Sequence, residues 1–245
     1  MTPSSTARLY IVGVGPGDPE LLTLKAARVI ASVPVVAFFA KRGKAGRARS
    51  IVAGWIKVDT IEVRLEYPFT TEVPVRDRRY ALELGKFYEC AAAEIARRLD
   101  SGCDVALLCE GDPFLYGSSP HVLDRLEGSY SIEVVPGVTG MSGCWARASL
   151  PLVHGDDVLT VLPGTLDEDR LVERLCSCDA VVIIKVGRNF PKICSAVTRS
   201  GLIGRAIYVE RGTMEGERVV PLEQMDAQAA PYFSLILIPG RQRAR

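Results

Sequence analysis

The feature that most constrains this chain is a pattern that occurs three times. A short apolar run stops abruptly in a turn built from glycine and proline. Residues 104–109 run into Glu110-Gly111-Asp112-Pro113, residues 8–14 into Gly13-Val14-Gly15-Pro16-Gly17-Asp18-Pro19, and residues 131–135 into Pro136-Gly137-Val138-Thr139-Gly140. Apolar runs of this length suit strands buried on both faces of a parallel sheet. Glycine reaches backbone angles closed to other residues and lets another backbone or a ligand come close. Pro113 holds Asp112 extended and out of helix. Open parallel sheets bind ligands beyond the carboxyl ends of their strands, so the three turns are candidate contact loops. Taken singly, each reads equally well as a tight strand-to-helix turn.

Helical patterns fill the intervals. Residues 21–30 carry a broad apolar face, with Asp18 suited to the N-cap and Pro19 to the first helical position. Residues 33–39 read as a second buried strand, and residues 57–66 alternate as a half-exposed one. From 78 to 100 runs a long amphipathic helix with Leu84, Phe87, Tyr88, Ala91, Ile95 and Leu99 on one face. A further helix is expected near 120–126. Helices alternating with apolar strands imply a parallel sheet covered on both faces. Small residues dominate the stretch up to 149, and the domain junction is placed at its start, giving domains 1–137 and 138–245. Beyond it, apolar runs at 158–162, 180–186, 206–210 and 233–238 are separated by helical patterns only early on. The second sheet is therefore expected to be mixed. The fold class is α/β, in two domains, the first mainly parallel and the second mixed.

With 30 basic and 29 acidic residues the net charge is +1, which argues against a nucleic-acid coat or a binder of anionic membranes. No apolar run approaches the roughly 20 residues of a membrane span, and the N-terminus lacks an apolar signal core, so a cytoplasmic protein is expected. Seven scattered cysteines and only two histidines, His121 and His154, give no metal-ligand spacing, and no metal site is expected. The first loop is not a dinucleotide fingerprint, because its third glycine falls two residues after the second. It is not a phosphate loop either, because no Gly-Lys-Ser/Thr closes it. Nor does any Ser-His-Asp or Cys-His set suggest a side-chain nucleophile. One local charge cluster stands out: five of the nine residues 41–49 are basic. It reads as a solvated loop or as a clamp for a polyanion. Arg42, Arg47 and Arg49, whose guanidinium groups fit carboxylates in two-point fashion, are the specific part of the second reading.

Taken together, the motifs at 13–23 (Gly-Val-Gly-Pro-Gly-Asp-Pro-Glu-Leu-Leu-Thr), 110–116 (Glu-Gly-Asp-Pro-Phe-Leu-Tyr) and 135–140 (Val-Pro-Gly-Val-Thr-Gly) resemble the tetrapyrrole methyltransferase family. The resemblance continues through Tyr67-Pro68-Phe69-Thr70, Leu150-Pro151-Leu152-Val153-His154 and Lys185-Val186-Gly187-Arg188-Asn189, and so covers nearly the whole chain. It implies methyl transfer from S-adenosylmethionine to a corrin precursor, with S-adenosylhomocysteine as the second product. It also implies two α/β domains with the active site in a trough between them, and a homodimer. Motif by motif, it implies cofactor contacts at Pro16, Gly111, Asp112, Leu115, Thr139, Gly140, Val186 and Gly212. Arg42, Arg47, Arg49, Arg76 and Arg79 are candidates for holding the carboxylates of the tetrapyrrole. Two departures stand out: the family often has Gly where Glu110 stands, and some members have Thr-Ala for Thr139-Gly140. Methyl transfer is an in-line displacement that mainly needs alignment and exclusion of water. A proton must still leave the methylated carbon, and Tyr67 and Glu110 are the candidate acceptors. On this reading Asp112→Ala loses activity with little loss of fold, and Gly111 tolerates no side chain.

Overall fold

The computed structural model describes residues 7–69, 78–225 and 230–240. The chain divides into two compact units, Met1–Thr139 and Gly140–Arg245. In the first unit, strands β1 (Arg8–Gly13), β2 (Val35–Lys41), β3 (Ile61–Tyr67), β4 (Val105–Cys109) and β5 (Ser131–Val135) form one sheet. Its order is β3-β2-β4-β1-β5, and every pairing is parallel. Helices α1 (Leu24–Ile30) and α2 (Arg47–Ile51) cover one face, and α3 (Arg78–Asp100) and α4 (Ser119–Leu126) cover the other. The alternation of side chains along the strands sorts the two cores. Leu107, Ala37 and Ile11 meet Ile95 and Leu99 of α3, whereas Leu108, Phe38 and Val12 meet Ile30 of α1 and Ile51 of α2. Because all five strands are parallel, the loops that follow β1, β2, β4 and β5 emerge along a single edge.

Helix α1 begins later than its apolar pattern suggests. Asp18 does cap, with its carboxylate accepting from the Glu20 N–H at 2.9 Å, but it caps a single 3-10 turn over Pro19–Leu21. The α-helix proper starts after Thr23, whose hydroxyl accepts from the Ala26 N–H at 3.2 Å. The basic stretch also differs from the loop expected. Its second half is the short helix α2, packed through Ala48 and Ile51, with Gly46 lying so close to the Phe38 ring that a β-carbon would approach to 2.6 Å.

The second unit holds α5 (Gly140–Arg147), β6 (Leu159–Pro163), α6 (Glu168–Cys176), β7 (Ala180–Ile184), α7 (Phe190–Arg199), β8 (Ile207–Glu210), β9 (Arg218–Pro221) and β10 (Ser234–Ile238). The sheet order is β6-β7-β10-β8-β9. Strands β6 and β7 are parallel, and β10 runs antiparallel to both β7 and β8, so β8 points the same way as β6 and β7. Strand β9, which returns antiparallel to β8, is an addition to the expected set. It has only four residues, Arg-Val-Val-Pro, too few to show a period. Helices α6 and α7 cover one face of this sheet, and α5 covers the other through Cys144.

Candidate active site

The three glycine loops of the first unit meet backbone to backbone. The Gly111 N–H donates to the Gly15 carbonyl at 2.8 Å, the Gly15 N–H returns to the Gly111 carbonyl at 3.4 Å, and the Val14 N–H donates to the Cys109 carbonyl at 2.9 Å. These two loops thus close a small antiparallel bridge above a parallel sheet. The third loop is wedged against them. A β-carbon on Gly13 would lie 2.6 Å from the Gly137 nitrogen and 2.7 Å from the Gly111 oxygen. One on Gly137 would run into the Gly111 carbonyl. Gly15 and Gly111 also sit at φ 80° and 66°, the left-handed region that a side chain strains.

Asp112 locks this arrangement. One carboxylate oxygen accepts from the Phe114 N–H at 2.9 Å within its own turn, and the other accepts from the Gly137 N–H at 3.2 Å. The carboxylate joins loops 25 residues apart, so Asp112→Ala is expected to cost stability as well as activity. Directly after it, Phe114, Leu115 and Tyr116 stand exposed as a short apolar ridge, with Tyr116 held at φ 57°. Soluble proteins seldom hold three adjacent apolar side chains out in water beside glycine backbone without a ligand to cover them. Non-glycine residues in the left-handed region concentrate at functional loops.

Glu110 and Tyr67 both stand at the ends of strands, but on different faces. Glu110 continues the phase of Ala106 and Leu108 and feels the guanidinium of Arg47 from α2. Tyr67 continues the phase of Val63 and Leu65, on the α3 side. Its ring stacks on Phe39 at 5.5 Å and packs against Phe87 at 4.8 Å. Its hydroxyl donates to Ser118 Oγ at 2.6 Å, and the Tyr88 hydroxyl donates to the same oxygen at 2.9 Å. The Tyr67 hydroxyl thus spends its proton on Ser118. Glu110 carries no hydrogen bond of that kind among the described residues, and its carboxyl is shifted instead. Burial pushes its carboxyl up to about 7, with Arg47 opposing. Glu110 is nevertheless an exposed residue by its surface, and contact with water screens the shift, so the upward direction is what the geometry supports.

A pH dependence follows. The folded-state value lies above the ordinary 4.5. The proton on Glu110 therefore favours the folded state, and that contribution is present in full below about 4.5. It is lost as the pH rises through about 7. Glu110→Gln should abolish this part of the decline, so that the variant gains on the wild type in denaturant midpoint between pH 5 and pH 8. Parallel curves for the two proteins would show that Glu110 titrates normally.

The remaining candidates are spread over both units. Pro16 is buried. Thr139 lies in the third loop, and Gly140 is the exposed first residue of α5, where a β-carbon meets nothing within 4 Å. Val186 is wholly buried in the second core, so only its backbone can face a ligand. Gly212 is buried against α5, where a β-carbon would lie 2.6 Å from Cys144 Sγ. Of the arginines, Arg42 is exposed on the turn after β2 and Arg47 opens α2. Arg49 is committed elsewhere: its fork grips Glu62 with bonds of 2.7 and 2.8 Å. Arg76 falls outside the described residues, and Arg79 lies in the first turn of α3.

The second unit has a feature that the sequence does not display. At the ends of β7 and β8, which point the same way, three non-glycine residues take positive φ: Lys185 at 55°, Arg211 at 50° and Thr213 at 68°. Among the described residues no helix is long and apolar enough to cross a membrane.

A parallel α/β sheet with three interlocked glycine loops at its carboxyl edge, followed by a mixed α/β unit, defines a two-domain α/β protein with a candidate ligand-binding edge. Residues 8–226 match the family described as Tetrapyrrole (Corrin/Porphyrin) Methylases, and the chain belongs to that family of S-adenosylmethionine-dependent methyltransferases. It is 49% identical over 240 residues to a precorrin-2 C(20)-methyltransferase of Sinorhizobium sp, covering 98% of each chain. It is 30% identical to a cobalt-precorrin-2 C(20)-methyltransferase of Salmonella typhimurium, covering 94% of this chain and 95% of that one. The solved uroporphyrin-III C-methyl transferase of Thermus thermophilus, complexed with S-adenyl homocysteine, superposes with a TM-score of 0.65 at 25% identity. That match covers 94% of this chain and 97% of that structure.

Proposed function

We propose that this chain methylates C20 of precorrin-2, giving precorrin-3A in cobalamin biosynthesis, with S-adenosylmethionine as methyl donor. The observation that carries the reading is the 49% identity to a precorrin-2 C(20)-methyltransferase over 98% of both chains. The site fits the cofactor. Glycine backbone lies beside an exposed apolar ridge at residues 114–116, which suits a ligand with a flat base and an aliphatic arm. S-adenosylmethionine supplies a methyl group made electrophilic by its sulfonium.

The residues of the chain do the rest. Pro16, Gly111, Asp112, Leu115, Thr139, Gly140, Val186 and Gly212 are the cofactor contacts. Phe114, Leu115 and Tyr116 exclude water, which a displacement of this kind needs more than it needs a nucleophile. Arg42 and Arg47 bind substrate carboxylates, and Arg49 is left out because Glu62 holds it. Glu110 takes the proton that leaves C20 as the new carbon–carbon bond forms and the carbon–sulfur bond breaks. Its value near 7 keeps it a competent acceptor at neutral pH. The enzyme works as a homodimer in the cytoplasm.

The test is to incubate the protein with S-adenosylmethionine labelled in the methyl group and, in separate reactions, metal-free precorrin-2 and its cobalt complex, and to locate the label by NMR. Label at C20 of the metal-free ring supports the proposal. Transfer to the cobalt complex alone would assign the chain to the activity named for the 30% relative. In the same assay, replacing Arg42 and Arg47 together by Ala should raise KM for the tetrapyrrole and leave cofactor affinity unchanged. The effect should shrink as salt screens the exposed part of the attraction. A KM that does not move at any salt concentration would return this stretch to a solvated loop.

A further inference from the structure

The loop between β8 and β9 is held to α5, to Phe233 and to itself by a set of short bonds. Gly212 packs on Cys144 of α5 with no room for a side chain. The Thr213 N–H donates to a Glu217 carboxylate oxygen at 2.7 Å. Arg147, the last residue of α5, grips both oxygens of that carboxylate from its Nε at 2.8 and 2.9 Å. The Arg211 N–H donates to the Phe233 carbonyl at 2.7 Å, and the Met214 N–H to the Arg211 carbonyl at 2.8 Å. Within this tightly bonded turn, the Thr213 hydroxyl is buried and has no hydrogen-bond partner among the described residues.

Two costs coincide at that residue. Buried polar groups in folded proteins are nearly always paired, and an unpaired one forfeits the hydration it had in the unfolded chain. Thr213 also stands at φ 68°, a conformation that β-branched residues seldom adopt. A chain that needed only a turn here would do better with Gly or Asn at this position. The backbone strain fixes where the hydroxyl sits, and the bonds through Glu217 and Arg147 keep the strain from relaxing.

We propose that the Thr213 hydroxyl is a hydrogen-bonding contact for S-adenosylmethionine, completed only when the cofactor is bound. The chemistry favours the cofactor over the tetrapyrrole. A single neutral hydroxyl shielded from water suits the neutral polar atoms of an adenine edge or a ribose, whereas carboxylates need cations. The proposal rests on the reading of the chain as a user of S-adenosylmethionine.

The experiment is calorimetric titration of S-adenosylhomocysteine into the wild type, Thr213→Val and Thr213→Ser, with urea unfolding of each. Val keeps the shape and removes the hydroxyl, and Ser keeps the hydroxyl. Thr213→Val should bind about three- to tenfold more weakly, the ordinary worth of one neutral hydrogen bond. It should also unfold at the same urea concentration as the wild type or a higher one, because the unpaired group is gone. Thr213→Ser should bind like the wild type, and KM for the tetrapyrrole should not change in either. Unchanged affinity in Thr213→Val, or loss of affinity in proportion to lost stability, would overturn the inference. A wild type that does not bind S-adenosylhomocysteine at all would overturn the functional reading beneath it as well.

Discussion

Gly137→Ala is expected to unfold the first unit or leave it severely destabilised, by about 3 kcal/mol or more. The added methyl would collide with the Gly111 carbonyl and sit 2.9 Å from the Gly13 carbonyl carbon and Cα. All of these are backbone atoms and cannot swing aside as a side chain would. Nor can Gly111 retreat easily, since its N–H and carbonyl are both bonded to Gly15. Gly140→Ala is the matched control, because nothing lies within 4 Å of the new methyl there. Urea unfolding of the two variants should separate them clearly. Equal stability would mean that the loops are not interlocked as described.

The second large effect is expected at Asp112. Removing its carboxylate in Asp112→Ala leaves the Phe114 and Gly137 N–H groups without their acceptor. Bonds to a charged acceptor contribute roughly 1.5–3 kcal/mol each where water is excluded, and less here because the residue is only half-buried. A net loss of about 2–3 kcal/mol is therefore expected, together with a loss of S-adenosylhomocysteine affinity of tenfold or more as the loop carrying Phe114 and Leu115 drifts. Asp112→Asn keeps one good acceptor and should fall between. Normal stability with lost binding would return Asp112 to the role of a direct ligand contact alone, and normal values of both would remove it from the site.

Much of the architecture was legible in the sequence, because it rests on short-range periodicity. The 23-residue helix α3 carries an unbroken apolar stripe. Strand β5 has the bounds its apolar run suggests, and the scarcity of helical pattern near the end of the chain gives the mixed sheet. What stayed hidden depends on partners distant in sequence. Nothing local marks Asp112 as the acceptor for Gly137, or Glu62 as the holder of Arg49. The same holds for β9, whose four residues are a strand only because β8 lies beside them. Glycine advertises positive φ, but Lys185, Arg211 and Thr213 do not. Their strain comes from the packing of the second unit, and Thr213 in particular reads as an ordinary turn residue until its hydroxyl is seen to lack a partner.

The bridge between Gly15 and Gly111 has a consequence for how a ligand is received. The loops at the carboxyl edge of the first sheet satisfy one another's amides and carbonyls before any ligand arrives, so binding does not have to freeze them. Loops that must fold over a ligand give up chain entropy at that moment, and their affinity and rate suffer. Here that entropy is surrendered once, when the protein folds. Association through this edge should accordingly be a single fast step with a modest heat-capacity change, set by the apolar area that the ligand covers.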